Sequence, residues 1–298
     1  MRVFVTGATG FIGSRVVPEL IGAGHTVLGM TRSNEGAERL MAAGAEPYHA
    51  NIDQPESLKE GAASADGVIH LAFDHDFSRS ANAFAENAEK DRVVITTLAD
   101  VLAGTNKPLV ITSGVGLGSK GPGQTATEDF FDASTPVPRK FTELAGIAAQ
   151  ERGVNVSVVR LPQVHDPYKQ GLITYYNEVT RKIGIAGYVG DGANRYSAAP
   201  VQSVANLYRL VLERAEAGSR WNAVQEEGVP MKDVVEVVAG VLKLEPKSLT
   251  QDEANQHYGW LGHILAWDMP ASSAYTQKTL GWDPTGPTLL EDLRQGKF

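Results

Sequence analysis

The sequence predicts an α/β fold: a doubly wound parallel sheet followed by a smaller, mixed and mainly helical lobe. Three observations predict it. A short apolar run, Val3-Phe4-Val5, leads directly into the glycine-rich stretch Thr6-Gly7-Ala8-Thr9-Gly10-Phe11-Ile12-Gly13. Strand-like and helix-like stretches then alternate through the first half, the pattern of parallel strands joined by crossover helices. After Pro162 that rhythm changes.

The elements follow in order. Val3 to Val5 reads as a buried strand, Thr6 and Gly7 turn the chain, and a helix is expected from near Gly10 to Gly22. Strands are expected at 25–30, 46–50, 67–72, 109–112 and 156–160, and helices at 35–43, 80–104 and 139–152. The stretch from Gly114 to Gly123 carries five glycines and reads as a mobile loop. Beyond Pro162, helices are expected at 172–183, 201–215 and 229–242, with a sharp turn at 187–192 and a strand at 220–224. Val204, Leu207, Tyr208 and Val211 recur at helical spacing. The expected division is a Rossmann domain over 1–165 and a substrate lobe over 166–298, with about 197–225 returning to the first. The crevice between them is the expected substrate site.

Composition narrows the functions. A formal charge of -8 argues against nucleic acid and anionic membrane as partners. The absence of cysteine removes disulfides, thiolate nucleophiles and Cys-ligated zinc. His257 and His263 flank Tyr258-Gly259-Trp260 without the acids a zinc site needs, so no metal is expected. Trp260 and Trp267 are expected to pack the second lobe. No apolar stretch approaches the roughly 20 residues of a membrane helix. Met1-Arg2 leads straight into the first strand, so no signal peptide is expected and the location is read as cytoplasmic.

The glycine loop has a physical reading. Gly7 permits the turn, Gly10 lets backbone approach a pyrophosphate, and Gly13 allows close helix–strand packing. The first-turn N–H groups, with the helix dipole behind them, face the anion. Gly7, Thr9, Gly10, Phe11 and Ile12 are therefore the expected dinucleotide cradle. The second strand ends Met30-Thr31-Arg32-Ser33 without a carboxylate for a ribose 2′-hydroxyl. Arg32 offers a planar fork to a 2′-phosphate and Thr31 or Ser33 a hydroxyl, so NADP(H) is expected over NAD(H). The other reading of Arg32 is a solvated surface charge.

The same residues carry a resemblance. Thr6 to Gly13, His70-Leu71-Ala72, Thr112-Ser113, Val159-Arg160-Leu161-Pro162 and Leu280-Gly281-Trp282 resemble the extended short-chain dehydrogenases/reductases, the NAD(P)-dependent epimerase/dehydratase superfamily. The resemblance spans essentially the whole chain and implies a cofactor surface that includes Leu71, Ala72, Phe73, Pro162 and Val164. It implies an acid near the adenine, here Asp53, which equally reads as a helix cap. It also implies a homodimer through the long helices after the fourth and fifth strands. Ser113 takes the place of the family's substrate-binding hydroxyl, but the Tyr-x-x-x-Lys pair is broken. With Glu143 as register mark, Arg139 occupies the lysine position and Thr135 the tyrosine position; one residue on, Lys140 and Pro136 do. Neither register supplies a phenol, as in an atypical subgroup that lacks this tyrosine.

Arg139 stays charged, so it can anchor a ribose but cannot act as a base. The missing proton donor is sought in His75 of Phe73-Asp74-His75-Asp76-Phe77, in His165, in Tyr168, Tyr175 or Tyr176, or in water. Three functions remain in order: a reductase of a small carbonyl or imine, a redox-silent dinucleotide sensor, and a sugar-nucleotide epimerase or dehydratase.

Overall fold

The computed structural model describes residues 1–77, 79, 80 and 82–298. The first lobe holds β1 (Arg2–Thr6), β2 (Thr26–Thr31), β3 (Glu46–His49), β4 (Gly67–His70), β5 (Pro108–Gly114) and β6 (Asn155–Leu161). Between them lie α1 (Gly13–Gly22), α2 (Asn34–Ala42), α3 (Lys59–Ala63), α4 (Ala83–Leu102) and α5 (Lys140–Glu151). The expected start of α4 includes Ala81, which lies outside the described residues.

The second half adds β7 (Gln163–His165), β8 (Ala186–Val189), β9 (Arg195–Pro200), β10 (Arg220–Asn222), β11 (Glu226–Pro230) and β12 (Pro246–Leu249). Its helices are α6 (Leu172–Ile183), α7 (Val201–Arg214), α8 (Met231–Leu242), α9 (Gln251–Tyr258), α10 (Trp260–Leu265), α11 (Ala274–Leu280) and α12 (Leu289–Arg294).

The main sheet runs β10-β6-β5-β4-β1-β2-β3, with parallel pairing throughout. Strand order reverses between β1 and β4, which opens a crevice at the strands' carboxyl ends. Successive side chains of a strand point to opposite faces. Val3 and Val5 therefore enter one core with Val16, Leu20, Val204 and Tyr208, whereas Phe4 enters the other with Val94, Ile95 and Leu98. The second lobe has its own core around Ile173, Tyr176, Val234, Val235 and Leu261. Its sheets are small, β11-β9-β7 and β12-β8. Short strands such as β7 and β12 lack clear alternation, and the sequence reading passed over them.

The C-terminal chain returns to the first lobe. Trp282, 2% exposed, donates its indole N–H to the Ser203 carbonyl of α7 at 3.0 Å.

Two expectations are corrected. Helix α1 begins at Gly13 rather than near Gly10, because Gly10 N–H closes a turn on the Gly7 carbonyl at 2.9 Å. The stretch 114–123 is not an open loop. β5 continues to Gly114, and a 3₁₀ turn follows at Val115–Gly118 with Val115 and Leu117 buried.

Candidate active site

The site lies where α1 and the ends of β1, β4 and β5 meet. Gly7 has φ +65°, and a Cβ there would stand 2.8 Å from the Ala72 backbone nitrogen. A Cβ on Gly13 would stand 2.1 Å from the Gly7 carbonyl oxygen. The two glycines thus let β1, the loop after β4 and α1 converge. Gly10 is exposed at the tip, with Thr9, Phe11 and Ile12 half-buried beside it. Helix α1 has no side-chain cap and no acid in its first turn. Its free amide end suits a pyrophosphate.

Beneath this cradle runs a directed chain of buried hydrogen bonds. Thr6 Oγ1 accepts the Leu71 and Ala72 N–H groups at 3.2 Å each, so its own proton goes to His70 Nδ1 at 2.7 Å. That leaves the proton of neutral His70 on Nε2, which donates to Asp91 Oδ1 at 3.1 Å. Thr142 donates to Asp91 Oδ2 at 2.5 Å. Arg139 Nη1 stands 3.3 Å from the same oxygen, and Arg139 Nη2 donates to the Thr112 carbonyl at 2.6 Å. Thr112 Oγ1 donates to the His70 carbonyl and receives the Tyr208 phenol, both at 2.7 Å.

Asp91 is 4% exposed. Burial pushes its carboxyl pKa up, but Arg139, His70 and Thr142 together hold it below the ordinary value. Burial raises the Tyr208 phenol well above its usual range, so Tyr208 is a fixed donor in the core. Asp91, Thr142 and Tyr208 were missed in the sequence. One signal was there: Asn87, Asp91, Ile95 and Leu98 follow one helical stripe, and an acid on an apolar stripe needs a partner.

Two atoms are left over. Ser113 is 3% exposed, and its Oγ is buried without a hydrogen-bond partner among the described residues. Arg139 Nη1 is also buried and not aligned for a hydrogen bond. Both belong to the corner at the carboxyl end of β5.

His75 follows β4, on the same side as Phe73, whose ring lies 3.9 Å under the Arg139 guanidinium. The His75 ring packs edge-on to Phe73 and Phe77, with centroids 5.1 and 5.9 Å away. Its Nδ1 donates to the Phe73 carbonyl at 3.1 Å, so the lone pair of the neutral ring is on Nε2. Desolvation by these neighbours and then the Arg139 charge lower its pKa below 6.5.

Other candidates lie elsewhere. His165 is fully buried, and its Nδ1 meets Asp292 of α12 at 2.7 Å. It ties the chain's end to β7, while its Nε2 is buried without a hydrogen-bond partner among the described residues, 3.9 Å from Glu226. Tyr176 is buried in a stack on Tyr258, and Tyr168 is exposed beside Lys297. Val164 is buried in the core, and Pro162 lies at the break between β6 and β7. Asp53 does not cap a helix, since the 3₁₀ turn Pro55–Leu58 has no side-chain cap. Its carboxylate pairs with Lys90 of α4 at 2.5 Å.

Glu143 does not face the crevice. It takes Arg160 bidentately at 2.8 and 2.9 Å, and Arg220 at 2.8 Å. Among the described residues no group of three or more His, Cys, Asp or Glu could hold a metal, and no helix is long and apolar enough to cross a membrane.

A cleft of about 200 Å³ opens at the ends of β2 and β3, lined by Thr31, Arg32, His49, Ala50, Asn51, Gln54 and Ser57. Residues 3–223 match the NAD dependent epimerase/dehydratase family. The chain belongs to that family. It is an NAD(P)-dependent oxidoreductase of the extended short-chain type. An uncharacterized protein of Schizosaccharomyces pombe is 40% identical over 100% of both chains. In fold the family member resembles a dTDP-glucose 4,6-dehydratase of Streptomyces venezuelae solved with NAD and TYD (TM-score 0.78, 18% identity, 100% of this chain and 96% of that one). It also resembles a UDP-glucose 4-epimerase of Thermus thermophilus in complex with NAD (TM-score 0.73, 20% identity, 99% and 97%).

The expected preference for NADP(H) is corrected, because these neighbours hold NAD. Ser33 Oγ accepts the Gly36 N–H as the cap of α2, and Thr31 Oγ1 donates to the Ser33 carbonyl. Both hydroxyls expected to assist Arg32 at a phosphate already hold the start of this helix.

Proposed function

We propose that the protein is an NAD(H)-dependent enzyme that interconverts an alcohol and a carbonyl on a small organic substrate, without the family's tyrosine. The observation that carries this reading is the unpartnered, buried Ser113 hydroxyl, on the residue that follows Thr112, whose carbonyl Arg139 holds. A buried polar group without a partner costs stability unless a ligand completes it.

Residues 1–165, with the returning segment 197–225, form the cofactor domain in this reading. Gly7, Thr9, Gly10, Phe11 and Ile12 hold the pyrophosphate; Arg32, Ser33 and Asp53 flank the adenosine; Leu71, Ala72, Phe73 and Arg139 flank the nicotinamide ribose. The bound nicotinamide supplies the redox chemistry. Ser113 bonds the substrate oxygen. His75 Nε2 takes the alcohol proton in one direction and returns it in the other. The Arg139 charge acts on His75 as a lysine acts on tyrosine, holding the proton acceptor in its unprotonated form at neutral pH.

Family membership and the NAD-bound neighbours favour oxidation and re-reduction within one turnover, as in an epimerase or dehydratase. Net reduction of a carbonyl or imine is the second reading, favoured by the missing tyrosine. One experiment separates them. The purified protein is titrated with NADH and NADPH; the NADH-loaded protein is then given aldehydes, ketones and imines, and the NAD⁺-loaded protein UDP-glucose and dTDP-glucose. Tighter binding of NADH is expected. Isomerised or dehydrated product from the NAD⁺-loaded protein with no net NADH formed supports the internal cycle, and stoichiometric NADH loss on a carbonyl or imine supports the reductase. Failure to bind NADH, or binding without chemistry across the panel, overturns the proposal.

The pH profile tests His75 separately. Alcohol oxidation needs the neutral ring, so kcat/KM stays level as pH falls and drops only below 6.5. Arg139→Met removes a charge that lowers the pKa, so this acid limb moves to higher pH. Arg139→Lys keeps the charge and leaves the limb in place. A limb that stays put in Arg139→Met removes His75 from the role.

A further inference from the structure

Outside the hydrogen-bonded corner, a continuous string of rings leads away from Arg139. Phe73 lies under the guanidinium, His75 packs on Phe73, and Phe77 on His75. Phe77 then meets Tyr175 of α6 at 6.5 Å and Trp260 of α10 at 5.7 Å, and these two meet each other at 5.7 Å. The string joins the loop after β4 to the second lobe, and it ends on a tryptophan that is 45% exposed. The tryptophan expected to pack the second lobe therefore packs against the loop after β4 as well, with its indole part-exposed.

Arg79, Lys90, Arg139 and Arg195 each already face a carboxylate. Arg79 pairs with Asp74 at 2.7 Å and with Asp76 at 3.5 Å. Lys90 bridges Asp53 and Asp74 at 2.5 and 2.8 Å. Arg139 faces Asp91, and Arg195 is held by Asp268 at 2.8 Å. A diphosphate brought here would have to compete with those carboxylates for every one of these cations. A planar apolar ring instead finds aromatic faces and edges, which attract a further ring in offset or edge-on contact.

We infer that the substrate carries an aromatic ring next to its reacting carbon and no diphosphate, with Trp260, Phe77 and Tyr175 as the residues that select it. This rests on the alcohol–carbonyl reading above and narrows its substrate class from nucleotide sugars to aryl ketones and aryl alcohols. The string begins under Arg139, which donates to the carbonyl of Thr112, the residue before Ser113.

The test is calorimetric binding to the NAD⁺-loaded full chain, with acetophenone, cyclohexyl methyl ketone and UDP-glucose as probes. Acetophenone is expected to bind about tenfold tighter than its saturated analogue, the upper end of what an aromatic pair contributes. Trp260→Ala is expected to lose about tenfold for acetophenone, and Trp260→Phe to stay within about threefold because it keeps a ring. Since Trp260 is half exposed, neither change threatens folding. Equal affinity for the two ketones, tighter binding of UDP-glucose, or no effect of Trp260→Ala overturns the inference. The expected binding pattern with no NADH-linked turnover of acetophenone or any other compound would uphold the aromatic site and overturn the alcohol–carbonyl reading instead.

Discussion

Replacing Glu143 by glutamine is expected to lower the unfolding free energy by about 3–5 kcal/mol, the usual cost of breaking a buried ion pair from one side. Glu143 and Arg160 are both fully buried in their side chains. One carboxylate serves two guanidinium groups, those of Arg160 and Arg220. Arg160 also donates to the Thr127 carbonyl at 3.0 Å and the Phe130 carbonyl at 2.9 Å. Without the carboxylate, Arg160 remains as an uncompensated charge between β6 and the 127–130 segment. The measurement is urea unfolding of Glu143→Gln, Arg160→Met and the double variant. The double variant is expected to lose less than the sum by about 2 kcal/mol, because it removes the fully buried unpaired charge and leaves only the part-exposed Arg220 without its partner. A loss under about 1 kcal/mol in Glu143→Gln would show that the pair contributes little. The 127–130 segment should become susceptible to limited proteolysis in Arg160→Met, since two of its carbonyls lose their donor.

Ser113→Ala should be less active and no less stable. If Ser113 bonds the oxygen on which charge develops, its loss lowers kcat about 100- to 1000-fold, the cost of removing one such donor elsewhere. NADH affinity should hold, because the hydroxyl faces substrate rather than the pyrophosphate cradle. Stability should stay level or rise by about 1 kcal/mol, because the variant removes a buried hydroxyl that has no partner. Steady-state kinetics, NADH titration and thermal unfolding on one preparation read all three. A variant with wild-type kcat would take Ser113 out of the chemistry. A variant with a lowered Tm would make the residue a packing element. The opposite signs on activity and stability separate a site residue from a core residue, as stability exchanged for function does generally.

The legible part of this chain was periodic. Val3, Phe4 and Val5 announce a buried strand because each alternate side chain must find a core, and both faces of the sheet provide one. Helix α6 was readable to its end residues, 172 and 183, from its apolar stripe and the glycine that follows it. The glycine loop was readable because Gly7 and Gly13 stand where a Cβ has no room. Where the pattern was short, as in β7, or depended on a distant partner, as in the 114–123 stretch packed against Thr127 and Arg160, the reading failed.

The candidate site divides along the same line. Ser113 and Arg139 could be picked by their distance from a strand end and a helix start, which are local facts. His165 was picked by the same logic and points into the second lobe, because β7 joins β9 and turns its ring toward Asp292. Glu143 served as a register mark in the sequence and is a buried counter-ion in the fold.

The sequence by itself determined the fold, the family and the glycine turn before α1, since strand alternation, helical spacing and tight glycine turns are imposed by neighbours along the chain. Only the tertiary structure decided the cofactor corner's internal wiring. Asp91 meets His70, Arg139 and Thr142 across 21 to 51 positions of sequence, and Tyr208 reaches Thr112 across 96. Charge pairing and hydrogen-bond direction act through space and carry no period along the chain, so they become visible only when the packed elements bring those groups together.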